Sequence, residues 1–306
     1  MYKEIKGVTT PIITPFKSNY EIDEGALRSH IRYMMDKGVR GIIPCGSTGE
    51  YSLLTKEERK RVVEITLDEV GGKALVIPGT TAVRNEDAVE FTEHAKDKGA
   101  DAVMVSPSYY FSTTEDELYQ YYKDVAEVGI PIILYNVPCT VKVDMSPQFM
   151  VRLANDFENI KYVKEATGDI CRIHELIRLS NEKLTVFSGW DILTLEAFAV
   201  GAKGWVAAPG NLLPRECVEL YELAVEKSDL EKARELYYAM LPALMLIEGS
   251  GKFVQYVKAG VELLGGKAGS PRKPLLPISE DEKKELKKAL DDLERRLKRS
   301  LRFASD

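Results

Sequence analysis

The strongest constraint on the fold of this chain is a regular alternation of short apolar runs with longer amphipathic segments. Several runs are apolar at every position, which is typical of parallel strands buried on both faces. About eight strand–helix units within residues 1–226 predict an α/β fold, a closed (β/α)₈ or TIM barrel. The runs that we interpret as strands are 7–14, 41–47, 74–81, 102–107, 131–137, 162–167, 184–190 and 204–209.

Start and stop signals mark the segments between the strands as helices. Thr55 and Thr114 each precede a glutamate by three residues, which is the pattern of a capping box. Gly38, Gly99 and Gly201 each follow a helical run and can close it in the left-handed conformation. An open doubly wound sheet is the alternative architecture, but no G-x-G-x-x-G turn follows any of these strands.

Residues 227–306 break the alternation. They predict an extension of three helices near 229–247, 251–264 and 280–300, the last opened by a capping box at Ser279. We interpret the leucine stripe of the last helix as a surface that packs on the barrel or on a subunit. The predicted organisation is therefore a catalytic barrel over 1–226 and a helical extension over 227–306. The stripe consists of Leu286, Leu290, Leu293, Leu297 and Leu301.

Composition excludes several classes of function. Lys and Arg total 42 against 48 Asp and Glu, a net charge of −6, so there is no basic surplus for a nucleic-acid backbone. No apolar run reaches the roughly 20 residues that span a bilayer, and the first residues lack a signal-peptide core, so we expect a cytoplasmic protein without a membrane partner. Four scattered cysteines and three histidines predict free thiols and no metal site. These residues are Cys45, Cys139, Cys171, Cys217, His30, His94 and His174.

The residues with the clearest chemistry lie near the C-terminal ends of the predicted strands, where parallel barrels build their active sites. Lys164 interrupts an apolar strand. If it is buried, its pKa falls and the neutral amine can form a Schiff base with a keto carbon; alternatively it snorkels or pairs with an acid. Tyr135 ends the preceding strand, within predicted reach of Lys164, and could relay protons or simply fill the core.

A turn after the second strand completes this chemistry. The sequence 46–50 reads GSTGE, and the backbone N–H groups and hydroxyls of Ser47 and Thr48 suit a carboxylate. The turn lacks the Gly-Lys-Ser/Thr of a P-loop, so it does not indicate a nucleotide.

Six segments, in this order and spacing, resemble the dihydrodipicolinate synthase / N-acetylneuraminate lyase family of class I aldolases. The resemblance covers nearly the whole chain and implies a barrel with a C-terminal helical extension. It also implies a homotetramer, a dimer of dimers, that acts on a 2-keto acid through a covalent lysine imine without metal or other cofactor. The segments are 46–50 (GSTGE), 53–59 (LLTKEER), 107–110 (PSYY), 135–138 (YNVP), 163–169 (VKEATGD) and 188–191 (SGWD).

Roles for individual residues follow from this resemblance. Lys164 matches the Schiff-base lysine and Tyr135 the proton-relay tyrosine. Ser47 matches a member of the proton relay that also binds the keto-acid carboxylate. Tyr109 matches a tyrosine that crosses a subunit interface, with Tyr110 as the alternative. The resemblance assigns substrate binding to Thr48, Gly49, Tyr110, Thr140, Thr167, Asp191 and Val206.

One departure from the family pattern concerns the substrate. Thr140 stands where the synthases carry an arginine for the second substrate's carboxylate, and a hydroxyl cannot replace a bidentate guanidinium at equal strength. Two stretches instead resemble 1-pyrroline-4-hydroxy-2-carboxylate deaminases: one runs from 189–191 through 204–207 to 214–216, and the other is 252–258.

The leading hypothesis from sequence is therefore deamination of 1-pyrroline-4-hydroxy-2-carboxylate in hydroxyproline degradation, with release of ammonia and water. The alternatives are an aldolase of 2-keto-3-deoxy sugar acids and a 4-hydroxy-tetrahydrodipicolinate synthase that condenses pyruvate with aspartate semialdehyde. The non-enzyme alternative is a catalytically inactive barrel that senses a ligand.

Overall fold

A computed structural model describes residues 3–303 as an eight-stranded parallel barrel with helices outside. Neighbouring strands follow the order β3-β2-β1-β8-β7-β6-β5-β4. Met104 N donates to Pro78 O at 2.9 Å and Thr80 N to Met104 O at 3.1 Å, so the two ends of this order meet. The predicted barrel is confirmed and the open sheet is wrong. The strands are β1 Gly7–Pro11, β2 Gly41–Ile43, β3 Leu75–Val76, β4 Val103–Val105, β5 Ile132–Asn136, β6 Ile160–Glu165, β7 Thr185–Ser188 and β8 Gly204–Val206.

Three helices begin at the predicted capping boxes, two around the barrel and one in the extension. Thr55, Thr114 and Ser279 all form complete capping boxes. A further barrel helix begins after Ser146, whose side chain accepts from Phe149 N. These caps fix where the chain leaves each loop at the barrel rim. The helices are α1 Glu24–Asp36, α2 Lys56–Val70, α3 Asn85–Asp97, α4 Glu115–Glu127, α5 Pro138–Val141, α6 Pro147–Asp156, α7 Ile170–Ser180, α8 Thr194–Ala199 and α9 Pro214–Tyr221.

Most strands are shorter than the sequence predicts. The apolar run 74–81 forms ladder pairs only over Leu75–Val76, and the run 41–47 only over Gly41–Ile43. Pro78 and Pro44 follow these strands closely and have no N–H to donate to a neighbour. The remaining apolar residues of these runs lie in the loops. They are buried at the C-terminal end of the barrel and are not paired with a neighbouring strand.

The C-terminal extension consists of α10 Leu230–Gly249, α11 Phe253–Leu263 and α12 Glu280–Leu297. Leu286, Leu290 and Leu293 are buried in the same hydrophobic core as the barrel residues, so the leucine stripe packs as predicted. The predicted division at 226/227 falls just after a π-helical turn, Glu222–Glu226. The division into a catalytic barrel over 1–226 and an extension over 227–306 stays a prediction, and the two parts share one hydrophobic core. Within residues 3–303, no helix combines the length and the apolarity that crossing a membrane requires.

Candidate active site

Strand register places Lys164 beside Tyr135. The two residues are direct partners in the β5–β6 ladder, and Lys164 Nζ lies 3.9 Å from the centroid of the Tyr135 ring. Lys164 is only 7% exposed, and no carboxylate of the described residues lies within 4.0 Å of its amine. The sequence alternatives of a snorkelling or ion-paired lysine are therefore wrong. The amine lies over the aromatic face of Tyr135, and its charge opposes the rise in the pKa of Asp191 and of Glu248.

These two side chains lie in a cavity of about 540 Å³ at the C-terminal ends of the strands. The cavity is the size of a small-molecule site, and it opens on the face where parallel barrels carry their chemistry. The structure brings together eight of the residues predicted for the site. They are Lys164, Tyr135, Ser47, Thr48, Tyr109, Thr140, Asp191 and Val206.

The turn after β2 presents Ser47 and Thr48 to the cavity. Within the described residues, the backbone N–H groups of these two have no acceptor, so they can donate to a substrate carboxylate. Gly49 is not among the residues that line the cavity, so its predicted part in substrate binding stays a prediction. Its N–H donates to Gly46 O at 3.0 Å, and a Cβ there would lie 2.9 Å from Ile12 O. Gly49 therefore allows the turn to pack closely on the barrel.

Two other predicted residues lie outside the cavity. Tyr110 is 76% exposed and packs edge-on against Phe111. Thr167 N donates to Glu165 Oε1 at 2.8 Å, and the Thr167 hydroxyl accepts from Asp169 N, so this residue shapes the loop before α7. The substrate-binding roles of both residues were inferred from the family resemblance. That resemblance does not show which residues of a loop face the cavity and which only shape the loop.

A pair of carboxyl groups, those of Asp191 and Glu248, lines the same cavity. Asp191 is buried and accepts from Trp205 Nε1 at 2.8 Å, while its own N–H donates to Glu248 Oε2 at 3.0 Å. Burial, followed by repulsion from Glu248, raises the pKa of Asp191 well above its usual value. Burial also raises the pKa of Glu248. The pair therefore tends to retain a proton, and it can donate as well as accept hydrogen bonds.

Sequence reasoning missed Glu248 and the other cavity residues of the extension, which are Gly251, Phe253, Val254, Gln255 and Leu275. The only indication in the sequence was the stretch 252–258. It was noted for its resemblance to a subfamily, and it does not show that these residues reach the cavity. The four cysteines are free, Cys45 and Cys217 buried and the other two exposed. In the described part of the chain, no three His, Cys, Asp or Glu side chains are grouped to hold a metal ion.

Comparison with known proteins agrees with this geometry. The model of the dihydrodipicolinate synthetase family matches residues 4–293. The 4-hydroxy-tetrahydrodipicolinate synthase of Methanocaldococcus jannaschii is 40% identical over 291 residues, covering 94% of this chain and 98% of the relative. A crystal structure of a dihydrodipicolinate synthase superposes with a TM-score of 0.89 at 40% identity and covers 94% and 99% of the two chains.

A second solved structure holds a ligand. YagE of Escherichia coli K12, a protein of the same family in complex with pyruvate, has a TM-score of 0.90 and 27% identity and covers 94% and 98% of the two chains. Fold, site and relatives together define an enzyme of the class I aldolase type, a Schiff-base lyase. The chain belongs to the dihydrodipicolinate synthetase family. Relatives at 33–40% identity carry the synthase name, so they do not support the predicted similarity to deaminases.

Proposed function

We propose that Lys164 condenses with the keto carbon of a 2-keto acid, with pyruvate as the first candidate, and that water leaves as the iminium forms. The iminium withdraws electrons from the adjacent carbon, which can then lose a proton and add to an aldehyde as an enamine. The reverse sequence cleaves the same carbon–carbon bond. Hydrolysis of the iminium releases the product and regenerates the amine.

The observation that carries this proposal is the buried amine of Lys164, 3.9 Å from the Tyr135 ring, facing a cavity of about 540 Å³. In this proposal the Tyr135 phenol moves protons to and from the carbinolamine oxygen. Ser47 and Thr48 hold the keto-acid carboxylate through their N–H groups and hydroxyls, which fixes the carbonyl against the amine. Val206 forms part of the wall behind the bound keto acid.

For the second substrate, the names of the relatives favour aspartate semialdehyde over the deamination predicted from sequence. The proposed reaction is then the condensation of pyruvate with aspartate semialdehyde to 4-hydroxy-tetrahydrodipicolinate, with loss of water. The support is identity of 40% over 94% of the chain and the pyruvate named for YagE, at 27% identity.

One observation favours a second candidate, the aldol cleavage of a hydroxylated 2-keto acid. Among the described residues that line the cavity, Lys164 is the only basic side chain, and its charge becomes that of the iminium formed with the first substrate. The polar side chains left for a second substrate include Thr140, Asp191, Glu248 and Gln255. A distal carboxylate would meet no guanidinium among them and would face two acids, whereas hydroxyls could both donate to and accept from these side chains.

Borohydride trapping tests the Schiff base, and a substrate panel separates the candidates. Pyruvate with borohydride should add one reduced keto-acid unit at Lys164 by mass spectrometry, and Lys164→Ala should abolish the adduct. The panel is pyruvate with aspartate semialdehyde, 1-pyrroline-4-hydroxy-2-carboxylate, 2-keto-3-deoxygluconate and N-acetylneuraminate, with products identified by mass. Absence of an adduct with every keto acid would favour the ligand-sensing barrel instead.

We further propose that the chain assembles as a homotetramer. Tyr110 and Phe111 support this, because these neighbouring rings are 76% and 66% exposed, more than such large apolar groups usually are. In the assembly, Tyr109 or Tyr110 would cross to the neighbouring subunit. Light scattering on the wild type and on Phe111→Ser should show whether loss of this apolar contact reduces the mass of the assembly.

A further inference from the structure

Glu50 ends the carboxylate-binding turn and lies where that turn meets the C-terminal extension. It adopts a left-handed backbone conformation with φ of 58°, and its N–H donates to Ser47 O at 3.0 Å. Its side chain is fully buried. An unpaired carboxylate buried here would be costly in itself, and it would repel a substrate carboxylate bound at Ser47 and Thr48.

The extension supplies the compensating cation. Lys258 Nζ lies 2.6 Å from Glu50 Oε1, and the Lys258 side chain is 2% exposed. The same ammonium lies 4.1 Å from the centroid of the Phe16 ring. Burial lowers the pKa of Lys258, and the neighbouring Glu50 opposes that shift. Lys258 and Glu50 together carry no net charge, whether the shared proton is on Lys258 Nζ or on Glu50 Oε1. The pair therefore places no net charge beside the turn.

Arg272 adds a second attachment from the extension. Its backbone N–H donates to Glu50 Oε2 at 2.7 Å. Its guanidinium forms a bidentate pair with Glu58, at 2.6 and 2.7 Å, and donates to Leu53 O at 2.8 Å. Arg272 therefore holds the segment from Glu50 to the first turn of α2 at three points. Bidentate pairs of this kind fix geometry better than single ion pairs do.

We infer that Lys258 and Arg272 are positioning residues, through which the C-terminal extension holds the carboxylate-binding turn and neutralises Glu50. The inference rests on the proposed binding of a keto-acid carboxylate at Ser47 and Thr48. It gives the extension a function in substrate affinity, because the barrel alone would leave an acid next to the site for an anionic substrate. Lys258 and Arg272 act on the keto-acid site through Glu50 and the turn, since neither residue lines the cavity.

The charge argument makes a prediction that depends on the substrate. In Lys258→Met, the keto-acid concentration at half-maximal trapping should rise at least tenfold for pyruvate. For pyruvamide, which has no carboxylate, it should change less than twofold, because an unpaired Glu50 repels only the anion. The double variant Lys258→Met/Glu50→Gln should recover most of the pyruvate affinity. At saturating pyruvate, the amount trapped should equal that of the wild type.

Two further variants keep the test interpretable. Lys252→Gln removes a lysine of the same extension that pairs with Glu282 at 2.7 Å and does not line the cavity, and it should leave both trapping curves unchanged. Arg272→Gln retains the backbone bond to Glu50 but loses the pair with Glu58, and should weaken pyruvate trapping less than Lys258→Met does. If Lys258→Met does not fold, as judged by circular dichroism, the comparison of Arg272→Gln with Lys252→Gln carries the test.

The outcomes separate this inference from the proposed function. If the wild type traps no keto acid, the proposed function fails and this inference fails with it. If the wild type traps pyruvate, two results overturn the inference alone. One is an unchanged half-saturation in both Lys258→Met and Arg272→Gln. The other is a loss in Lys258→Met that is equal for pyruvate and pyruvamide and that Glu50→Gln does not reverse.

Discussion

A methyl group added at Gly189 should displace Lys164, the lysine proposed to form the Schiff base. Gly189 follows β7 directly, and its N–H donates to Glu165 O at 2.8 Å. A Cβ at this position would lie 2.7 Å from Lys164 Cγ, 2.8 Å from Ala166 Cβ and 2.8 Å from Glu165 O. Carbon atoms pack at about 3.5–4.0 Å, so each contact is too short by several tenths of an ångström or more. All three neighbours belong to one stretch of chain, and that stretch carries the amine.

The expected magnitude follows from this geometry. Relief of the overlap requires the Lys164 stem to move by on the order of 1 Å, and a misplacement of that size can lower a rate about 100-fold. Overpacking of a core typically costs about 1–3 kcal/mol of unfolding free energy. Gly189→Ala should therefore fold, with a lower melting temperature, while kcat for the condensation falls about 100-fold and borohydride trapping of pyruvate slows in parallel.

Gly249→Ala is the matched control. Gly249 is the last residue of α10, and nothing outside its own helix lies within 4 Å of a Cβ built there. Alanine favours a helix more than glycine does by about 0.5–1 kcal/mol, so this variant should keep its activity and its stability. A Gly189→Ala enzyme with kcat within twofold of the wild type would show that the position of the amine does not depend on this close approach.

Two further predictions concern acceptor specificity and pH. Thr140→Arg should lower KM for aspartate semialdehyde at least tenfold in steady-state assays, because a guanidinium can bind the acceptor carboxylate bidentately; an unchanged KM would mean that this carboxylate is bound elsewhere. Burial lowers the pKa of His30 to about 4 from its usual 6.5. The unfolded chain therefore takes up this proton first, and stability is lost as pH falls from about 6.5 towards 4, by about 3 kcal/mol at most. In His30→Gln, the unfolding free energy measured in denaturant should depend less on pH between pH 7 and 5 than it does in the wild type. The same pH dependence in the two proteins would contradict the assignment to His30.

The sequence predicts the barrel well because each strand–helix unit is specified locally. Apolar runs, capping boxes and closing glycines all act within about 15 residues, and a parallel barrel simply repeats that unit. Element ends are less predictable. The last helix ends at Leu297 rather than near 300, because Lys298 adopts the left-handed conformation. A lysine in the sequence does not indicate that conformation, whereas a glycine would. The predicted strands extend too far for a different reason. The loop residues over the barrel mouth are as apolar as the strands, so the apolar pattern does not show where a strand ends.

The same distinction explains the site. Lys164 and Tyr135 were predictable because consecutive strands pair in register, so two residues at strand ends meet by a local rule. Glu248 was not, because it reaches Asp191 from α10, across 57 residues, and no periodicity in the sequence indicates which helical residue faces the mouth. Gly49 and Thr167 were transferred from a family pattern, and a pattern does not record which residues the loops use for their own hydrogen bonds.

The residues of the cavity therefore fall into two groups with different origins. Lys164 and Tyr135 lie on the adjacent strands β6 and β5, and together with the turn at Ser47 after β2 they carry the chemistry proposed for the first substrate. The second group joins Asp191 of the barrel to Glu248 of the extension. An acid pair without a guanidinium beside it can change the accepted second substrate while leaving the proposed Schiff base intact. Overall identity near 40% is consequently strong evidence for the shared chemistry and weaker evidence for the acceptor, which depends on the residues of this second group.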